Sequence, residues 1–102
     1  GLDYIADWIY GTWEVISIDG QEYWDDEDQK LEMTFTSNGV DVTRNGEVLV
    51  TMSYRITDEG AELRDTDGAA YSVVYSPADD TLTILGNGYT EVLKRVTDTS
   101  SN

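Results

Sequence analysis

The sequence predicts an all-β chain: an eight-stranded antiparallel up-and-down (meander) barrel preceded by a short N-terminal helical turn. Three observations carry this. Apolar and polar residues alternate in short runs along most of the 102 residues, the period-2 pattern of strands with one buried face. Turn dipeptides built on Gly and Asn separate the runs. The connections are also too short for a helical crossover, so neighbouring strands pair antiparallel. Eight such strands close most economically into a barrel, which removes exposed edges. A two-sheet sandwich is the competing arrangement, but Greek keys need longer connections than this chain offers.

The elements follow in order. Leu2, Ile5, Ala6 and Ile9 have helical spacing, so residues 1–10 form a helical lead-in to the barrel. Gly11 ends it. Thr12 to Ile18 is rich in β-branched and aromatic residues and forms the first strand. Asp19-Gly20 turns the chain, and Tyr23-Trp24 and the acidic run Asp25 to Asp28 make a solvated loop. Leu31 to Thr36 alternates cleanly, with Leu31, Met33 and Phe35 on one face. Asn38-Gly39 and Asn45-Gly46 are type I′ hairpin signals on either side of Val40 to Thr43. Glu47 to Thr57 is a long strand with Val48, Val50, Met52, Tyr54 and Ile56 on one face. Four strands remain: Ala61 to Arg64, Ala69 to Ser76, Thr81 to Leu85 and Tyr89 to Val96. In Ala69 to Ser76 and Tyr89 to Val96 both alternations are partly apolar, so either face can be the inner one. Residues 11–96 thus form one barrel domain, and the polar residues 97–102 a disordered tail.

Composition narrows the chemistry. The chain has 21 Asp plus Glu against 6 Lys plus Arg, a formal net charge of −15, and neither His nor Cys. Triad and thiol catalysis are therefore excluded, as are disulfides and Cys-type zinc sites. The negative charge makes nucleic acid and anionic membranes poor partners. No apolar run reaches the length of a membrane span, and no signal-peptide pattern is present. The first residue is Gly1 rather than Met, as in a trimmed or processed chain, which leaves room for an upstream targeting segment.

Gly11-Thr12-Trp13 opens the first strand and Lys94-Arg95 closes the last. In a closed meander these strands are neighbours. A basic side chain from the last strand then covers the face of Trp13 and donates to carbonyls at the closed end. This G-x-W motif, the eight meandering strands and the late Arg95 resemble the lipocalin and calycin pattern. LEMTFTSNG in second position and YTEVLKRV at the end resemble small lipocalin-like domains of Bacteroidetes cell-envelope proteins. The likeness spans residues 10 to 96, with Gly11, Trp13 and Arg95 as its structural signature. It implies an exported protein of the periplasm or cell surface, often a lipoprotein anchored through an upstream lipid. Larger lipocalins differ in having a long first loop, a C-terminal helix and disulfides.

An eight-stranded barrel is just wide enough to be filled by side chains or to hold one small ligand. The large inward residues favour a filled core. A small pocket at the open end is the alternative, lined by Met33, Met52, Tyr54, Tyr71 and Tyr75, whose aromatic and thioether surfaces suit an apolar ligand. Trp8, Tyr10, Tyr23 and Trp24 fall outside the alternation and read as a lid over one barrel end or as a surface aromatic patch for a protein or glycan. Asp25 to Asp28 and Asp65-Thr66-Asp67-Gly68 lack the spacing of a calcium loop and read as solvated turns. The acids lie mostly on turns and outward faces, so no carboxylate pair for glycoside hydrolysis emerges. The sequence thus predicts a non-enzymatic barrel without metal or cofactor. Its expected partner is a small apolar ligand at the open end or, with a filled core, an envelope protein or glycan.

Overall fold

The computed structural model describes residues 8–22 and 30–96. Among the described residues nine strands run in chain order: β1 (Gly11–Ile18), β2 (Gln21–Glu22), β3 (Leu31–Thr36), β4 (Gly39–Arg44), β5 (Glu47–Ile56), β6 (Gly60–Arg64), β7 (Ala70–Ser76), β8 (Thr81–Gly86) and β9 (Tyr89–Arg95). Each strand from β3 to β8 pairs antiparallel with its successor, β1 pairs with β3, and β1–β9 pairing closes the wall. Only β2 stands outside the cylinder. It is a two-residue return that pairs with Ser17 and Ile18 of β1. Eight strands therefore make the closed up-and-down barrel. The described residues contain no helix; Trp8 and Ile9 lie in a turn. Most of the expected helical lead-in, the Tyr23 to Asp28 segment and the 97–102 tail lie outside the described residues.

Hairpin chemistry sets the connections. Asp19 and Gly20 (φ 54° and 82°), Asn45 and Gly46 (53° and 87°), and Asn87 and Gly88 (55° and 87°) all carry the paired positive φ of type I′ turns. Asn38-Gly39 behaves differently from its expected type I′ turn. The loop is Ser37–Asn38, with Thr36 paired to Gly39 and Phe35 to Val40. Burial explains the shift. Turning on Asn38-Gly39 would move the pairing by two residues and set Arg44 opposite Met33, on the inner face. The observed register instead places Val42 there.

Two bulges correct the simple alternation. On β5 the register shifts between Val48 and Val50, so Leu49 is the extra residue and the strand's parity flips. Val48, expected inside, pairs with outward Thr43 and is 53% exposed. On β1 the shift at Ile16 brings Ile18 rather than Ser17 to the inner face, in register with Glu91 of β9.

The packed core occupies the half of the barrel where β1 begins and β9 ends. Trp13, Phe35, Val40, Leu63, Val73, Leu82 and Leu93 are almost fully excluded from solvent there, with Ile9 capping them. Trp13 donates its indole N–H to the Ile9 carbonyl at 3.0 Å. The Arg95 guanidinium lies 4.3 Å from the centre of the Trp13 ring. From that position it donates to the Trp8 carbonyl at 2.7 Å, the Tyr10 carbonyl at 3.3 Å and the Asp80 carboxylate at 2.8 and 3.1 Å. Asp80 also accepts from the Tyr75 hydroxyl at 2.9 Å. One cation thus ties the lead-in, the β7–β8 turn and the last strand together, which seals this end.

Candidate functional site

The opposite end is not filled. A cavity of about 170 Å³ runs from the core floor at Leu63 to the rim, walled by Val15, Leu31, Met33, Val42, Val50, Met52, Tyr71 and Ile84. Asp65, Gly86, Tyr89 and Glu91 complete it on the side of β6 to β9. The bulges bear on its shape. Turning Val48 outward leaves Val50 as the first inward residue of β5, nearest the rim, to line the cavity. At Gly86 an added Cβ would lie 2.7 Å from the Tyr71 ring and 3.3 Å from the Ala70 carbonyl oxygen. The missing side chain is what lets the Tyr71 ring lie against β8.

Three of the five expected pocket residues, Met33, Met52 and Tyr71, line this cavity. Tyr54 and Tyr75 do not. Both face inward, but β5 and β7 run from the open rim to the sealed end, so these late positions reach the plug. Tyr54 packs edge-on to Phe35 with ring centres 5.3 Å apart and donates to the Thr36 carbonyl at 2.8 Å. Burial raises its phenol above the ordinary tyrosine value, and neighbouring Tyr10 adds to the rise. Tyr75 stacks on Trp8 at 4.6 Å and meets the Trp13 edge at 6.2 Å. Alternation predicts which face a residue takes, not its height along the barrel.

Gly11, Trp13 and Arg95 meet at the sealed end, as described above, where Gly11 pairs with Phe35. Trp8 belongs to the plug, and Tyr10 is 39% exposed beside it. Tyr23 and Trp24 lie outside the described residues. So do Asp25 to Asp28. Asp65 turns the chain, its carboxylate accepting from the Asp67 amide at 2.7 Å and its carbonyl from the Gly68 amide at 2.9 Å. Among the described residues no three acidic side chains group as a metal site would require.

Glu91 is the residue that sequence reasoning missed. Leu93 is wholly buried, and that sets the inner face of β9 as Tyr89, Glu91, Leu93 and Arg95. The acid is therefore carried inside with its neighbours. A signal was available in its spacing, two residues before Leu93 and four before Arg95. Burial raises the Glu91 carboxyl above the ordinary glutamate value. No protein-family model, curated protein or solved structure matches the chain. The resemblance to lipocalin-like domains accordingly rests on the closed eight-stranded barrel and on the positions of its motifs.

Proposed function

We propose that this protein is a non-catalytic binding barrel that takes one small, largely apolar ligand into the cavity at its open end. The observation that carries the reading is the cavity itself: about 170 Å³, floored by Leu63 and walled by Val15, Met33, Val42, Met52 and Ile84. A dry apolar cavity of about 150 Å³ accepts benzene, so the space suits a single ring or a short alkyl chain. Methionines on two walls adapt their shape to an occupant. The chain has no Cys or His to supply a nucleophile or a general base of neutral pKa. The alternative, a surface-acting domain with a filled core, has less support, since Trp8 is stacked into the plug rather than presented to a partner. An exported, envelope-associated location follows from the resemblance alone and is part of the same proposal.

The test is a titration with benzene and toluene followed by amide chemical shifts and by melting temperature. Saturable shifts centred on Met33, Leu63 and Ile84 are expected. Ligand at about ten times Kd should add about 1.4 kcal/mol of stability. Val42→Phe, which fills the space, should fold and lose the effect. Binding that persists in Val42→Phe, or an absence of saturable shifts in the parent protein, refutes the reading.

A further inference from the structure

The cavity wall is apolar except along β9 and the β6–β7 turn. Glu91 stands in register with Ile18 of β1 on one side and Ile84 of β8 on the other, so both neighbours on the inner face are aliphatic. Among the described residues the ion pairs engage only Glu62 and Asp80 as acids, and Glu91 has no cation of its own. Lys30 and Arg44, at the same end, stand on or beside β3 and β4, two and three strands away around the wall. Asp65 lines the same cavity. The Tyr71 phenol is raised first by burial, and the carboxylates of Asp65, Glu91 and Asp67 add to the rise. The mouth is thus a concentration of negative potential, with two phenol rings set above an apolar well.

A carboxylate withdrawn from water beside aliphatic groups is unfavourable unless something pairs with it. A bound cation supplies that pairing. We propose that the ligand of this cavity is a small primary amine with an apolar body of roughly one ring. Its ammonium group would sit between Glu91 and Asp65 at the mouth, and its body among Met33, Met52 and Leu63. This rests on the reading of the open end as a ligand cavity. An ammonium offers three donors to the two carboxylates, and Tyr71 and Tyr89, which line the same cavity, add aromatic surface of the kind that attracts cations. The net charge of −15 draws cations toward the mouth and repels fatty acids and other anions.

Benzylamine, benzyl alcohol and benzoate share one ring and differ in the charge of the head group, so they separate body from head. Their binding is measured by calorimetry and amide shifts at pH 7 and 150 mM salt. Benzylamine should bind at least tenfold tighter than benzyl alcohol, with benzoate weakest. Glu91→Gln should bring benzylamine down to the level of benzyl alcohol and leave the alcohol unchanged. Asp58→Asn removes one charge from an exposed turn at the sealed end and should leave the preference intact. Equal binding of amine and alcohol overturns the amine assignment while the cavity reading stands. So does a preference that survives Glu91→Gln or that falls equally in Asp58→Asn. If neither benzyl alcohol nor benzene binds, the cavity reading itself fails.

Discussion

Replacing Arg95 by Met keeps much of the side chain's apolar bulk and removes its charge and all its donors. In the native barrel the guanidinium reaches two backbone carbonyls and one carboxylate while lying 4.3 Å from the Trp13 ring centre. The contact with the ring contributes about 0.5–1 kcal/mol at a partly exposed site. The Asp80 pair contributes about 0.5–1 kcal/mol, because the two side chains are 25% and 43% exposed and water screens them. The Trp8 and Tyr10 carbonyls add about 1 kcal/mol each. These contributions are not independent, since one rigid group makes all of them. The expected loss is therefore about 2–4 kcal/mol. At about 5 °C per kcal/mol for a domain of this length, that lowers Tm by roughly 10–20 °C. Urea unfolding followed by Trp fluorescence checks both the size and the two-state character of the change. A double-mutant cycle with Asp80→Asn should give a coupling of about 0.5–1 kcal/mol. A loss under about 1 kcal/mol for Arg95→Met would show that apolar packing alone seals this end, and the account of Arg95 as a tie would be wrong.

Three further outcomes follow from the same geometry. The Asp80 carboxyl is held below the ordinary aspartate value by its bonds from Arg95, outweighing the opposing effect of burial. Its contribution is therefore fully present above the unfolded-state value and lost as pH falls through the lower folded one. Asp80→Asn should flatten that acid limb in melts between about pH 5 and pH 2. Glu91 has the opposite sign. Its folded value is raised by burial, so the native state holds the proton longer than the unfolded chain and stability declines as pH rises through the raised value. Glu91→Gln should raise Tm at pH 7, and the gap should close once pH drops below the ordinary glutamate value. Gly86→Ala places a methyl group 2.7 Å from the Tyr71 ring. It should cost about 1–3 kcal/mol and push the ring into the cavity. Weaker benzene binding in that variant checks the displacement; unchanged binding and Tm would mean that the ring has room to move.

Legibility differed between the fold and the site for a physical reason. Strand alternation and Asn-Gly or Asp-Gly turns are local chemistry, so the eight barrel strands, the turn at Asp19-Gly20 and the type I′ hairpin at Asn45-Gly46 could be read directly from the residues. At Asn38-Gly39 the local signal pointed to the wrong pair, because the register of Val40 opposite Phe35 outweighed the turn preference. The same limit applies to Val48. Its apolar side chain fits the alternation, but a bulge at Leu49 turned it outward, and bulges depend on how two strands match around a closed wall.

The site was half legible. Inward parity brought Met33, Met52 and Tyr71 to the cavity, and the same parity misplaced Tyr54 and Tyr75, since height along a barrel depends on register and strand direction. The sequence placed the acids mostly on turns and outward faces, and most of those among the described residues do sit there. By itself the sequence determined the eight strands of the barrel wall, their antiparallel order and the absence of thiol and imidazole chemistry, all of which depend on residue type and near neighbours. Only the tertiary structure decided that the barrel is packed at one end and open at the other, and that Glu91 faces inward. Those outcomes depend on how eight strands align when the wall closes, where the burial of Leu93 outweighs the cost of carrying a carboxylate inside.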